Sequence, residues 1–134
     1  MTVDPTPSRY HYDAIVKRVI DGDSIVIDID LGLSIWRRGE AVRLFGINAP
    51  EVVGAQKPAG IAARDFLKAL LAGPTLIGSD DPRVVVETIK DGGDKYGRLL
   101  AKVFMRRGDG WISVNDEMIV AGHAKPWDGH GARP

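Results

Sequence analysis

The 134-residue chain contains no cysteine. That absence removes disulfides, thiolate nucleophiles and zinc-thiolate sites, and it leaves the redox compartment undetermined. Any chemistry here must use oxygen ligands, nitrogen bases or cations. An excess of one charge is also missing: 18 Lys and Arg balance 18 Asp and Glu, so a nucleic-acid partner has to be argued from a local footprint. No apolar run approaches the ~20 residues of a membrane-spanning helix, and the opening Met1 to Tyr10 segment lacks the apolar core of a signal peptide. The chain therefore reads as non-membrane, and as either cytoplasmic or a mature secreted domain. Histidine is sparse as well, and His11, His123 and His130 are too scattered for a zinc triad.

What remains is the composition of one globular domain, 44% apolar and 27% charged with 16 glycines. Many short apolar runs are separated by Gly, Asp and Pro, which favours strands. Residues 1–9 read as a loose arm, 10–125 as one domain and 126–134 as an irregular tail; the expected state is a monomer. Tyr10 to Ile20 predicts a first strand, Asp21-Gly22 a hairpin and Asp23 to Ile29 a second strand. Ala41 to Ile47 completes a third, with Pro50 as its stop. From Pro58 to Ala72 the apolar residues Ala63, Phe66, Leu67, Leu70 and Leu71 fall on one helical face, and Gly73-Pro74 is a stop signal. Thr75 to Gly78, Arg83 to Lys90 and Leu99 to Met105 are further strand candidates around a glycine-rich loop at 91–97. A short helix follows from about Ser113 to Gly122. The pattern predicts a mainly β fold with α (α+β): a five-stranded Greek-key barrel of the oligonucleotide/oligosaccharide-binding type (OB-fold) with two helices. A six-stranded sandwich is the alternative.

The stretch from Val19 to Glu51 organises the chain. It places the carboxylates of Asp23 and Glu51, the amide of Asn48 and the guanidinium of Arg43 at the ends of apolar strands. By the period of two, Asp23 shares a face with Ile25, Ile27 and Ile29, and Arg43 shares one with Ala41, Phe45 and Ile47, so both are expected to point inward. An unpartnered buried ion costs several kcal/mol, so these two need each other, a metal or an anionic ligand. The pattern reads as a metal and phosphate site, with a structural ion pair as the alternative. Asp21 is explained by turn chemistry alone.

Four blocks together resemble the thermonuclease (staphylococcal nuclease-like) family: Ile-Asp-Gly-Asp-Ser at 20–24, Arg-Leu-Phe-Gly-Ile-Asn-Ala-Pro-Glu at 43–51, Asp-Lys-Tyr-Gly-Arg-Leu-Leu-Ala at 94–101 and Gly-His-Ala-Lys at 122–125. The resemblance implies an OB-fold enzyme that hydrolyses DNA and RNA with calcium, cutting the bond to the 5′ oxygen and leaving 3′-phosphate ends. Carried over by position, it implies Asp23 as metal ligand, Arg43 as the arginine holding the scissile phosphate, Glu51 as general base and Arg98 as a second catalytic arginine. Lys95 and Tyr96 fall on residues that contact a terminal phosphate. Asn48 stands where a second metal-binding aspartate is common, which predicts weaker calcium affinity. Ala49 replaces a common threonine and offers the metal only its main-chain oxygen. After Lys125 the family's tyrosines and third helix have no counterpart, and Trp127 is a candidate stacking surface. The rival readings are a catalytically silent module that binds nucleic acid or protein, and a purely structural domain with a closed salt-bridge network.

Overall fold

β-branched residues at alternate positions lay down the first hairpin. β1 (His11–Asp21) and β2 (Ser24–Asp30) pair antiparallel across a two-residue turn, and Ile25, Ile27 and Ile29 are buried along one face of β2. Register shifts at Val16/Arg18 and Val19/Asp21 account for the loss of strict alternation in the second half of β1. β3 (Trp36–Leu44) pairs with β2 and sets Val42 opposite Ile25. The computed structural model describes residues 10–72, 81–93 and 96–128. The expected arm at 1–9, the Gly73-Pro74 stop, the Thr75 to Gly78 strand, Lys95 and the tail from residue 129 onward lie outside the described residues.

Two longer strands close the ring. β5 (Arg83–Gly93) pairs with β1, and β6 (Leu99–Arg107) pairs with β5. A parallel pairing of β3 with β6, Val42 with Leu99 and Leu44 with Ala101, then joins the two ends. Closure rules out the open sandwich and gives the expected five-stranded Greek-key barrel of the OB type, because each of the five strands has a neighbour on both sides within the ring. β7 (Gly110–Ser113) extends β6 through a tight turn at Arg107–Gly110 and was not foreseen.

Both expected helices form. α1 (Lys57–Ala72) carries Pro58 in its first turn and buries Ala63, Leu67, Leu70 and Leu71, with Phe66 partly buried beside them. α2 (Val114–Val120) begins at Ser113, whose hydroxyl accepts the Asp116 N–H at 3.2 Å, and it buries Val114 and Met118. Buried Asn115 ties α2 to the barrel wall. Its amide oxygen accepts the Val103 N–H, and its Nδ2 donates to the carbonyls of Phe45 and Ala101.

The third strand differs from its expected form in one respect that matters for the site. It ends at Leu44, before Pro50 is reached: Gly46 adopts φ +83°, a left-handed conformation that turns the chain out of the strand. The next residues form a separate short strand, β4 (Ile47–Asn48), which pairs antiparallel with β8 (Lys125–Pro126). Pro126, placed by sequence in the irregular tail, is therefore part of a two-stranded ribbon on the flank of the barrel. The proline is tolerated there because a two-residue edge ribbon makes few ladder bonds.

Candidate active site

The cleft forms where the β1–β2 turn meets α1 and the segment after β4. Gly22 and Asp23 make that turn, so Asp23 is a turn residue and not the first residue of β2. Its burial does not follow from strand alternation. It follows from close packing of the turn: a Cβ on Gly22 would lie 2.8 Å from both Ala49 Cβ and Ala63 Cβ. Gly22 does not adopt a left-handed backbone, so this glycine is required by proximity, not by the turn type. The close approach brings Ala49 against Asp23, and the Ala49 N–H donates to Asp23 Oδ2 at 2.9 Å. Asp23 Oδ1 accepts the Ser24 hydroxyl at 3.1 Å.

Arg43 is buried as expected, with its side chain 6% exposed, but on the other face of β3. Val42 and Leu44 take the barrel interior, and Arg43 lies opposite Ser24 on the outward face. It is covered there by the β4–β8 ribbon. Arg43 Nη2 donates to the Ile47 carbonyl at 3.1 Å and to Asn48 Oδ1 at 3.4 Å, and lies 3.6 Å from Asp23 Oδ2. Its guanidinium stacks on the Trp127 ring at 4.9 Å. Arg98 Nη1 donates to Ser24 Oγ at 3.0 Å, so Ser24 joins Arg98 to Asp23 through one hydroxyl. Arg98 also lies over the exposed Tyr96 ring at 5.6 Å.

A cavity of about 490 Å³ gathers Asp23, Arg43, Ala49, Glu51, Tyr96 and Arg98 together with Asp21, Val52 and Val53. Glu51 is exposed at its rim, its backbone N–H held by Gln56 Oε1 at 3.1 Å. Asn48 borders a neighbouring cavity of about 210 Å³ with Gln56, His123 and Lys125. Its Oδ1 is joined to the main cleft by Arg43 Nη2. Lys95 lies outside the described residues.

Asp21 lines the cleft although sequence reasoning explained it by turn chemistry alone. The available signal was two carboxylates flanking a single glycine, a spacing that folds both toward one side of a tight turn. Asp21 Oδ1 accepts the Asp23 N–H at 3.0 Å. Burial, then the adjacent Asp23 carboxyl, push the Asp21 acid up from 3.8 to about 6. The folded chain thus binds a proton more tightly than the unfolded one, and stability falls as pH rises from about 4 to about 6. Asp21→Asn removes that penalty. A shift of this size corresponds to at most about 3 kcal/mol, and solvent screening of a partly exposed group reduces the expected gain to about 1 kcal/mol. Urea unfolding without divalent cations should show the gain at pH 7 and its disappearance near pH 4; an equal gain at both would contradict this cause.

As a donor set the cleft suits a hard cation. Asp21 and Asp23 offer carboxylate oxygens whose mutual repulsion a cation would relieve, and the Asn48 amide oxygen reaches the same Arg43 nitrogen as Asp23. Among the described residues no three His, Asp or Glu side chains converge closely enough to hold a metal alone. Carbonyls and water would have to complete the shell. The nearby Arg43 charge lowers the affinity of such a site.

The molecule is thus a closed OB-type barrel that gathers carboxylates and arginines in one cleft on its flank. Residues 41–131 match the family described as staphylococcal nuclease homologue, and the chain belongs to that family. It is 40% identical over 103 residues to a thermonuclease of Staphylococcus intermedius, covering 75% of this chain and 52% of that protein. It is 34% identical over 113 residues to a thermonuclease of Staphylococcus hyicus, covering 82% and 56%. It is also 30% identical over 129 residues to Endonuclease YhcR of Bacillus subtilis, covering 90% of this chain but 9% of that protein. The chain thus spans about half the length of the staphylococcal relatives.

Proposed function

We propose that this protein is a calcium-dependent nuclease that hydrolyses phosphodiester bonds of DNA and RNA at the 5′ oxygen, leaving 3′-phosphate ends. The observation that carries the reading is the convergence of Asp21, Asp23, Arg43, Glu51 and Arg98, from four separate segments, on one open cleft of about 490 Å³. An isolated structural ion pair has no need of that opening, or of a second arginine on its rim.

Each residue has a distinct task. Arg43 holds the scissile phosphate and neutralises the charge that grows on its non-bridging oxygens. Arg98, fixed to Ser24 at 3.0 Å, lies toward the leaving oxygen. Glu51 takes the proton of the attacking water, a contribution of about 10² to 10⁴ in rate. Tyr96 and Lys95 contact the adjoining phosphate. Asp21, Asp23, the Asn48 amide oxygen and the Ala49 carbonyl would hold calcium, which when bound supplies further charge stabilisation at the phosphate.

The rival reading, a silent module that binds nucleic acid or protein, is favoured by one contact. Arg43 Nη2 turns to Asn48 Oδ1 and Asp23, so part of the cleft neutralises itself. Incubating DNA or RNA with the protein in millimolar calcium, then with a chelator, separates the two: calcium-dependent cleavage supports the enzyme, and binding without cleavage supports the module.

Asn48 offers a second test that does not depend on turnover. It brings no charge to the cation, so Asn48→Asp should tighten calcium binding about tenfold by calorimetry. No gain would place residue 48 outside the ligand set.

A further inference from the structure

The segment from Asn48 to Glu51 divides two cavities. Ala49 and Glu51 line the cleft, whereas Asn48 and Pro50 line the neighbouring cavity of about 210 Å³, so this segment is the wall they share. A strand of nucleic acid lying in the cleft has only that wall to cross.

The polar side chains of the smaller cavity are chiefly donors. Asn48 Oδ1 accepts from Arg43 Nη2 at 3.4 Å, and Gln56 Oε1 accepts the Glu51 N–H at 3.1 Å. Both of those partners can only donate, so the oxygen of each amide is committed and its NH2 group is the end left over. Lys125 stands opposite Asn48 across the β4–β8 ribbon, which places the two side chains on one face. Among the described residues Lys125 makes no ion pair, and no carboxylate lines the cavity. His123 adds an imidazole packed on Phe66, with ring centroids 4.7 Å apart. The N–H groups of Gly122, His123 and Ala124 are all spent on carbonyls at the end of α2, so this side of the cavity is fixed and its side chains are what a ligand meets. A lysine and two amide NH2 groups with no opposing acid suit an oxyanion. The volume falls below the ~300 Å³ at which pockets for whole small molecules begin. It suits a single group and not a nucleotide.

We propose that this cavity is a second phosphate subsite, which takes a neighbouring backbone phosphate of the same nucleic-acid strand whose scissile phosphate lies in the cleft. The proposal rests on the reading of the cleft as the site of phosphodiester cleavage. It gives Asn48 two tasks that an aspartate could not combine: the amide oxygen faces the cleft, and the NH2 group serves the anion next door.

The test is binding of a labelled single-stranded DNA of about ten nucleotides, within the site size of an OB-fold, to the full chain in chelator at low salt, where no cleavage intervenes. Lys125→Met, which keeps the apolar stem, should weaken binding about fivefold, the upper range for an exposed ion pair. It should also lower the salt dependence, log affinity against log salt, by about 0.7, the share of one phosphate in a single strand. Lys125→Arg should retain both. Lys102→Met removes an exposed lysine of β6 that lines neither cavity and should change neither. In NMR spectra the Lys125 ammonium resonance should move on addition of the oligonucleotide while that of Lys102 stays in place. The proposal is overturned if Lys125→Met binds as tightly as the unaltered chain, if Lys102→Met loses as much, or if the Lys125 resonance does not move. Any of these results with calcium-dependent cleavage intact sinks the subsite alone. Failure of the unaltered chain to bind the oligonucleotide at all sinks the subsite and the functional reading together.

Discussion

Glu51→Gln should reduce the rate of nucleic-acid cleavage by about 10² to 10⁴ while leaving the unfolding midpoint where it was. The side chain is exposed at the rim of the cleft, so an isosteric amide creates no cavity. The hydrogen bond that positions this residue runs from its backbone N–H to Gln56 Oε1 and survives the substitution. The amide cannot take a proton from water, so kcat should fall with little change in KM. The competing assignment, Glu51 as a structural partner of Arg43, predicts the reverse: lower stability and an unchanged rate. Steady-state cleavage kinetics and a urea melt on the same preparation distinguish them.

Gly60→Ala should be as damaging from a position that touches no substrate. On an exposed helical face this change is stabilising by up to about 1 kcal/mol, because alanine is the better helix former. Gly60 lies instead on the buried face of α1, where a Cβ would collide with the carbonyl group of Glu51 and lie 2.8 Å from the Val52 nitrogen. Neither obstacle is a flexible side-chain tip. Either α1 shifts away from the barrel or the backbone that carries Glu51 moves. Overpacking of this kind costs about 1 to 3 kcal/mol, which exceeds the gain in propensity, and a displacement of about 1 Å at a catalytic group costs roughly 10² in rate. The expected outcome is a lower unfolding midpoint together with a rate loss approaching that of Glu51→Gln, measured below the melting range. A Gly60→Ala variant that is more stable and fully active would show that α1 does not set the position of Glu51.

These two residues illustrate how much of the molecule can be read from its sequence. The barrel was legible because it is built on periodicity: Ile25, Ile27 and Ile29 alternate along β2, and Ala63, Leu67, Leu70 and Leu71 recur at helical spacing along α1. Periodicity reports only the face turned to the core. It therefore misassigned Arg43, which is buried on the opposite face by a ribbon whose second strand, Lys125–Pro126, lies far along the chain and is too short to have a pattern. The glycines at 22 and 60 resemble turn and helix-weakening residues in one dimension, and only the folded chain reveals them as points of close approach. Asp21 was hidden by a sufficient local explanation. Asp-Gly at a hairpin needs no further cause until the folded turn sets its carboxyl beside that of Asp23.

In the proposed mechanism one cleft brings carboxylates for a hard cation and arginines for a phosphate to bear on a phosphodiester bond. Digesting a single-stranded oligonucleotide with the protein and identifying the new ends by mass spectrometry tests this most directly. Fragments ending in 3′-phosphate and beginning with 5′-hydroxyl, formed with calcium and suppressed by a chelator, are the predicted result. An intact oligonucleotide at millimolar calcium, or fragments bearing 3′-hydroxyl ends, would contradict it.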